Sequence, residues 1–306
     1  MDIQKIQGII DAAAAGTTAR LGVFFKDLKT GETAGADIDG VYPTASVFKI
    51  YILAELLLQV KEGKFSLDDR FPLTVESKSE GSGVLALLDD GMAPTLRDYA
   101  TLMMVISDNT AADFLYGLVG RDAIVRDVLR PLGLSRTKCD LSVRDLIAVS
   151  YNLEPGLAYG EFDARWEASG RPSLRNAPAY TGALELNDET SPADVSAMLE
   201  RLYRGEWVDA DSSATAIKIM RSCQTNSRIP KYLPKGCHAA HKTGTMVRVA
   251  NDSGIIYTPK GDFILSLFYN GNVASEEEYE ANASGRKGDE LLAGLARDVC
   301  RAFIDG

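Results

Sequence analysis

Strand-like stretches lie towards both ends of this 306-residue chain, and the long middle reads as helix. Leu21 to Asp27 and Thr30 to Thr33 carry strand composition, with Gly31 as the turn residue between them. Strand character returns only beyond Gly236, at Ala239 to Thr243, Val249 to Tyr257 and Phe263 to Tyr269. From Leu67 to about Gly205 the period is mostly helical: Leu96 to Ile106, Thr110 to Val119, Asp122 to Leu132, Val143 to Tyr151 and Pro192 to Tyr203. Ser191 is the N-cap candidate of the last of these, with Pro192 in its first turn. Ile3, Ile6, Ile9 and Ile10 recur at helical spacing at one end, and Leu291, Leu292, Leu295, Ala296, Val299, Cys300 and Phe303 form one stripe at the other. A helical block therefore interrupts a sheet domain, an α+β arrangement, and the cleft between the two is where a site is expected.

An apolar-periodic stretch from Ser46 to Val60 predicts a buried helix whose first turn carries Ser46. That turn reads Ser46-Val47-Phe48-Lys49. Further on stand Ser107-Asp108-Asn109 and then Lys242-Thr243-Gly244. A Ser-x-x-Lys string alone is expected by composition about once in a chain of this length. The other two are rarer, and all three in this order are not expected by accident.

A serine hydroxyl attacks only when a base removes its proton. A lysine serves as that base if burial or a neighbouring cation lowers its pKa. Residues three apart on a helix share a face, so Lys49 is within reach of Ser46, and Lys242, on approaching, would depress Lys49 further. Ser107 and Asn109 bring a hydroxyl to relay a proton and a carboxamide to hold an amide, although Ser-Asp-Asn also makes a good helix cap. Lys242 and Thr243 would offer a cation and a hydroxyl to a carboxylate, and Gly244 permits close backbone approach. The backbone N–H groups of Ser46 and Thr245 are the candidate oxyanion hole. A Ser-His-Asp triad would need His238 or His241 as its base, a role that Lys49 fills at better spacing.

A net charge of −10 argues against nucleic acid or an anionic membrane as partner. The longest apolar run, Ile50 to Leu58 broken by Glu55, is too short to span a bilayer. Cys139, Cys223, Cys237 and Cys300 are scattered without a Cys-x-x-Cys pair, so neither a disulfide framework nor a zinc site is expected. His238 and His241 lack further ligands nearby, and no metal or cofactor is expected. The N-terminal residues lack the pattern of a secretory signal, which leaves a cytoplasmic protein or a mature exported form as the expectation. The expected partner is a small-molecule substrate and the expected state a monomer.

The three strings, with Leu96-Arg97-Asp98, Met103-Met104, Arg228-Ile229-Pro230 and His241-Lys242-Thr243-Gly244-Thr245, resemble the penicillin-recognising serine enzymes, and most closely class A β-lactamases. The resemblance spans nearly the whole chain. It implies a β-lactamase/transpeptidase-like fold: an antiparallel sheet flanked by terminal helices, formed by residues 1–37 with 223–306, and an inserted all-helical domain at 38–222. It also implies a covalent acyl-enzyme on Ser46 in the cleft between them. By the same pattern Arg228 would support Lys242 or a substrate carboxylate.

One departure stands out. The family carries a glutamate in a Glu-x-x-x-Asn pattern that activates the deacylating water. Counting forward from Ser107 lands near Val143, and counting back from Asp188 lands near Arg175, so an enlarged loop at about 142–187 is expected. Within it Arg165-Trp166-Glu167 looks like the family's tripeptide, but Arg171 stands where the Asn belongs. Glu167 is the candidate deacylating base, with Glu154 and Glu185 as lesser ones. The readings that follow are a β-lactamase, a related esterase or peptidase-type hydrolase that deacylates β-lactams slowly, and a non-catalytic ligand-binding homologue. The complete set of reacting residues argues against the last.

Overall fold

A computed structural model describes residues 2–170, 187–271 and 286–306. Its strands are β1 (Arg20–Asp27), β2 (Thr33–Ala36), β3 (Tyr42–Pro43), β4 (Glu189–Thr190), β5 (His238–Met246), β6 (Val249–Thr258) and β7 (Gly261–Asn270). Five of them make one sheet in the order β2-β1-β7-β6-β5, with every neighbouring pair antiparallel. Strands from before and after the helical block thus meet at the β1–β7 seam, where Val23 lies opposite Leu267 and Phe25 opposite Leu265. β3 and β4 form a separate two-stranded ribbon.

The helices are α1 (Ile3–Ala15), α2 (Lys49–Lys61), α3 (Leu96–Val105), α4 (Asn109–Val119), α5 (Arg121–Ala123), α6 (Val143–Ser150), α7 (Phe162–Ala168), α8 (Pro192–Tyr203), α9 (Ala210–Met220) and α10 (Arg286–Asp305). The sheet is buried on both faces, which is why β7 reads as the nearly unbroken apolar run Phe263-Ile264-Leu265-Ser266-Leu267-Phe268. Phe263, Leu265 and Leu267 pack with Ile6 and Ile10 of α1 and Leu292, Val299 and Phe303 of α10. Ile264 and Phe268 face the other way and join a cluster that continues through Ile52 and Leu56 of α2, Met103 of α3 and Leu199 of α8. Each fully buried side chain of this size contributes about 1.5–3 kcal/mol. Sheet and helical block therefore share a core, and the cleft they form rests on packed walls.

Several elements depart from the sequence reading. The second strand starts at Thr33, because Gly31 at φ +79° and the bond from Asp27 N–H to the Glu32 carbonyl keep 28–32 in the turn. Ser46 lies in a 3-10 turn, Ala45–Phe48, and the α-helix begins only at Lys49. Asp122 to Leu132 is not one α-helix; α5 passes into a π-helical stretch at Ile124–Leu129. The expected enlarged loop holds α7, and α9 falls inside the block expected to be helical but beyond the segments whose period marks a helix; it is capped by Asp209, whose side chain accepts the Ser212 N–H. Arg171, Arg175 and Glu185 lie outside the described residues. Among the described residues, no helix is long and apolar enough to cross a membrane.

Candidate active site

The turn that carries Ser46, the candidate nucleophile, is held from two sides. Thr44 N–H donates to the Asp188 carbonyl at 3.0 Å, and Asn251 on β6 donates through Nδ2 to the carbonyls of Pro43 and Thr44 at 2.8 and 3.1 Å. Ala45 takes φ +44°, a left-handed kink that swings the next residue out of the preceding chain direction. In a 3-10 turn residues three apart share a face, which puts Lys49 on the side of Ser46, while the Lys49 amine itself bonds Ser107 and Asn109. β5 lies against this turn because residue 244 is glycine: a Cβ there would stand 2.5 Å from the Thr44 carbonyl oxygen and 3.2 Å from the Ala45 Cβ.

Lys49 is fully buried, with Nζ 2.8 Å from the Ser107 carbonyl, 2.9 Å from Asn109 Oδ1 and 3.2 Å from Ser107 Oγ. Burial, and next the positive charge of Lys242, push its pKa well below the ordinary lysine range. A lowered pKa is the direction a lysine needs to serve as a base. Lys242 Nζ lies 3.1 Å from Ser107 Oγ and donates to the Thr243 carbonyl at 2.8 Å. The Ser107 hydroxyl thus sits between two lysine nitrogens. Ser107 itself is at φ +58°, and the cap role is taken by Asp108, whose Oδ1 accepts the Ala111 N–H. Asp108 Oδ2 also accepts the N–H groups of Val84 and Leu85, fixing the loop over the cleft. Ser-Asp-Asn is therefore a cap and a site at once, with the middle residue capping and the outer two facing reactive groups.

Asn109 gives one amide hydrogen to the Glu80 carbonyl at 2.8 Å and keeps the other. Arg228 is 2% exposed and does not reach across to Lys242 or open its guanidinium to the cleft. Nε pairs with Asp289 at 2.6 Å, Nη1 donates to the carbonyls of Gly244 and Asn251, and Nη2 donates to Thr245 Oγ1 at 2.6 Å. It acts on the site through Thr245 and through charge. Burial lowers the Lys242 pKa to about 8; Cys223 and Asp252 oppose that and Arg228 adds to it.

Ser46, Ser107, Asn109, Thr243 and Thr245 all line one cleft of about 550 Å³. Its far wall is Val143, Leu146, Ile147 and Ser150 of α6 with Tyr151 and Phe162. Asp113 sets the start of that wall, its carboxylate accepting the N–H groups of Val143 and Arg144 at 2.5 and 3.0 Å and the Ser79 hydroxyl at 2.6 Å.

Glu167 does not line the cleft. α7 turns Phe162 and Trp166 onto Tyr151, at ring distances of 4.9 and 5.3 Å, which leaves Glu167 on the exposed side of the helix. Among the described lining residues the one carboxylate is Glu80, which sequence reasoning missed; its Oε1 accepts the Gly160 N–H at 2.7 Å. The glycines flanking the Glu80 loop were its only signal: Gly81 at φ +95° and Gly83 at φ +117° pass so close to Asn109 and Asp108 that a Cβ would clash. His241 is not in the cleft either; its Nδ1 pairs with Asp252 at 2.8 Å. Among the described residues no His, Cys, Asp and Glu cluster could hold a metal ion.

The chain is 28% identical over 280 residues to the β-lactamase L2 of Stenotrophomonas maltophilia, covering 89% of this chain and 81% of that protein. The crystal structure of a β-lactamase from Sphaerobacter thermophilus superposes with a TM-score of 0.78 at 26% identity, covering 100% of this chain and 99% of the other. PBP-A shares the fold, with a TM-score of 0.76 at 23% identity over 99% of this chain and 97% of its own. The architecture is thus β-lactamase/transpeptidase-like, with a mixed α/β body around an antiparallel sheet. A model of the beta-lactamase enzyme family matches residues 3–303, and the chain belongs to that family.

Proposed function

We propose that the protein hydrolyses the amide of β-lactams through an acyl-enzyme on Ser46. Lys49 takes the Ser46 proton, and Ser46 Oγ attacks the lactam carbonyl carbon. The backbone N–H groups of Ser46 and Thr245 hold the oxyanion. As the carbon–nitrogen bond breaks, the Ser107 hydroxyl passes a proton to the leaving nitrogen and is resupplied through the lysine nitrogens beside it. Lys242, Thr243 and Thr245 receive the substrate carboxylate, Arg228 orients Thr245, and the spare hydrogen of Asn109 meets a substrate amide carbonyl. The substrate is small, and the protein works as a monomer.

The observation that carries this reading is the placement of Ser107 Oγ, 3.2 Å from Lys49 Nζ and 3.1 Å from Lys242 Nζ, in the cleft that Ser46 lines. A chromogenic cephalosporin tests it: the protein should turn the reagent over, and Ser46→Ala should lose about three orders of magnitude or more of that rate. Turnover unchanged in Ser46→Ala would sink the proposal.

Deacylation needs a base for water, and Glu80 is the carboxylate the cleft lining offers. Glu80→Gln is expected to slow steady-state turnover by about 10²-fold or more while leaving the acylation step intact, and Glu167→Gln to leave both steps near wild type. The opposite pattern would return the role to Glu167.

A further inference from the structure

The four cysteines are scattered along the chain, yet the fold brings two of them together. Cys237 and Cys300, 63 residues apart, stand with their sulfurs 3.7 Å from one another, both as free thiols. Cys300 lies on α10, buried in the apolar cluster between that helix, α1 and the sheet, and Cys237 packs against the same cluster from its edge. Spacing in the sequence gives no sign of the pair, because the contact arises only when α10 returns across the sheet.

The two thiols differ in access. Cys237 ends a turn, its N–H donating to the Pro234 carbonyl at 3.1 Å, in which Lys235 and Gly236 are exposed and Gly236 takes φ +88°. It is half-buried and also lines a cavity of about 310 Å³ with Arg221 and His238, so a small reagent can meet its sulfur. Cys300 is fully buried; burial, with Cys237 adding to it, raises its thiol above the ordinary range. Cys237 is therefore the thiol that meets an oxidant first, and Cys300 the one that reacts second. A disulfide holds its sulfurs at about 2.05 Å. The gap that remains is one that rotating the two thiols and a small shift of the exposed turn would close.

The place of the pair gives the bond a consequence. Cys237 immediately precedes β5, which starts at His238 and is the last strand of the sheet, bonded within it to β6 alone. β5 carries Lys242, Thr243 and Thr245 into the cleft, while α10 packs on β6, β7 and the turn Ile229–Tyr232.

We propose that Cys237 and Cys300 are a paired modification site that a low-molecular-weight disulfide converts to an intramolecular disulfide, fastening α10 to the start of β5. The Cys237 thiolate attacks one sulfur of the reagent, whose S–S bond breaks and releases one small thiol. Cys300 sulfur then attacks the Cys237 sulfur of the mixed disulfide, and the second small thiol leaves with the Cys300 proton. Two protein thiols are oxidised and one external disulfide is reduced to two thiols. The bond closes a long loop of chain, which restrains the unfolded state more than the folded one.

The test is incubation of the folded full chain with oxidised glutathione, trapping of remaining thiols with N-ethylmaleimide, and peptide mapping without reduction. The expected product has an intact mass lower by two hydrogens and one cross-linked peptide pair holding Cys237 and Cys300. Its thermal midpoint should lie about 5 °C above that of the reduced chain, and dithiothreitol should reverse the gain. Cys237→Ser should give neither the cross-link nor the gain. Oxidation that stops at a glutathione adduct, no oxidation, or a cross-link through Cys139 or Cys223 would overturn the pair, whatever the chain does with β-lactams. A Cys237–Cys300 cross-link with an unmoved or lowered midpoint would overturn the fastening.

Discussion

At the scale of single residues the site is governed by two buried lysines that burial pushes towards neutrality to different extents, with the charge of Lys242 adding to the effect on Lys49. Lys49 is lowered well below the ordinary lysine range, the direction the proposed base needs, whereas Lys242, at about 8, remains largely cationic at neutral pH, as the proposed carboxylate binding needs. The acylation rate with a carboxylate-bearing substrate should therefore fall on an alkaline limb near pH 8, as Lys242 loses its proton. Arg228 depresses Lys242, so Arg228→Gln should move that limb to higher pH; a pH profile of kcat/KM checks this, and an unmoved or lowered limb would remove Arg228 from the electrostatics of the site. Ser46, Lys49, Ser107 and Lys242 were legible in the sequence because the chemistry fixes both residue type and spacing. The contacts of Arg228 were not, because which carbonyls a guanidinium reaches depends on how β5 and β6 lie beside it.

At the scale of elements, the decisive contact is β5 against the nucleophile turn. Gly244→Ala puts a methyl group against the Thr44 carbonyl, and should cost about 1–3 kcal/mol of stability as overpacking does while displacing Thr245 from Ser46. A lowered thermal midpoint together with a loss of acylation is expected. Full activity in the variant would show that the turn yields without consequence. α8 was legible to the residue because Ser191 and Pro192 mark its start independently of packing. The 3-10 turn at Ser46 was not, since the same apolar spacing serves both windings and only the approach of β5 distinguishes them. α9 escaped because Ser212, Ser213, Ala214 and Thr215 dilute its period, leaving Ala216, Ile219 and Met220 as its buried apolar residues beside a buried Ser213. The sidedness of α7 escaped for a different reason: Glu167 matched a motif, but the aromatic packing of Phe162 and Trp166 on Tyr151 decides which way the helix faces.

At the scale of the molecule, the order of strand and helix segments along the chain already implied a sheet closed around an inserted helical block. The β1–β7 seam and the separate cores on the two faces of the sheet, one of them shared with the helical block, realise it. Where the cleft's carboxylate sits was not legible, because Glu80 comes from a loop between α2 and α3 that carries no periodic signal and is shaped by Asp108 and Asn109 from another element. The central claim is that Ser46 in this cleft becomes covalently acylated. Intact-protein mass spectrometry of the chain mixed with benzylpenicillin, sampled over time and mapped by peptide, tests it directly. The expected result is a gain of one whole antibiotic on Ser46 that later disappears as the hydrolysed product leaves. Absence of any adduct under conditions where the antibiotic is consumed, or an adduct mapped to a residue other than Ser46, would contradict it.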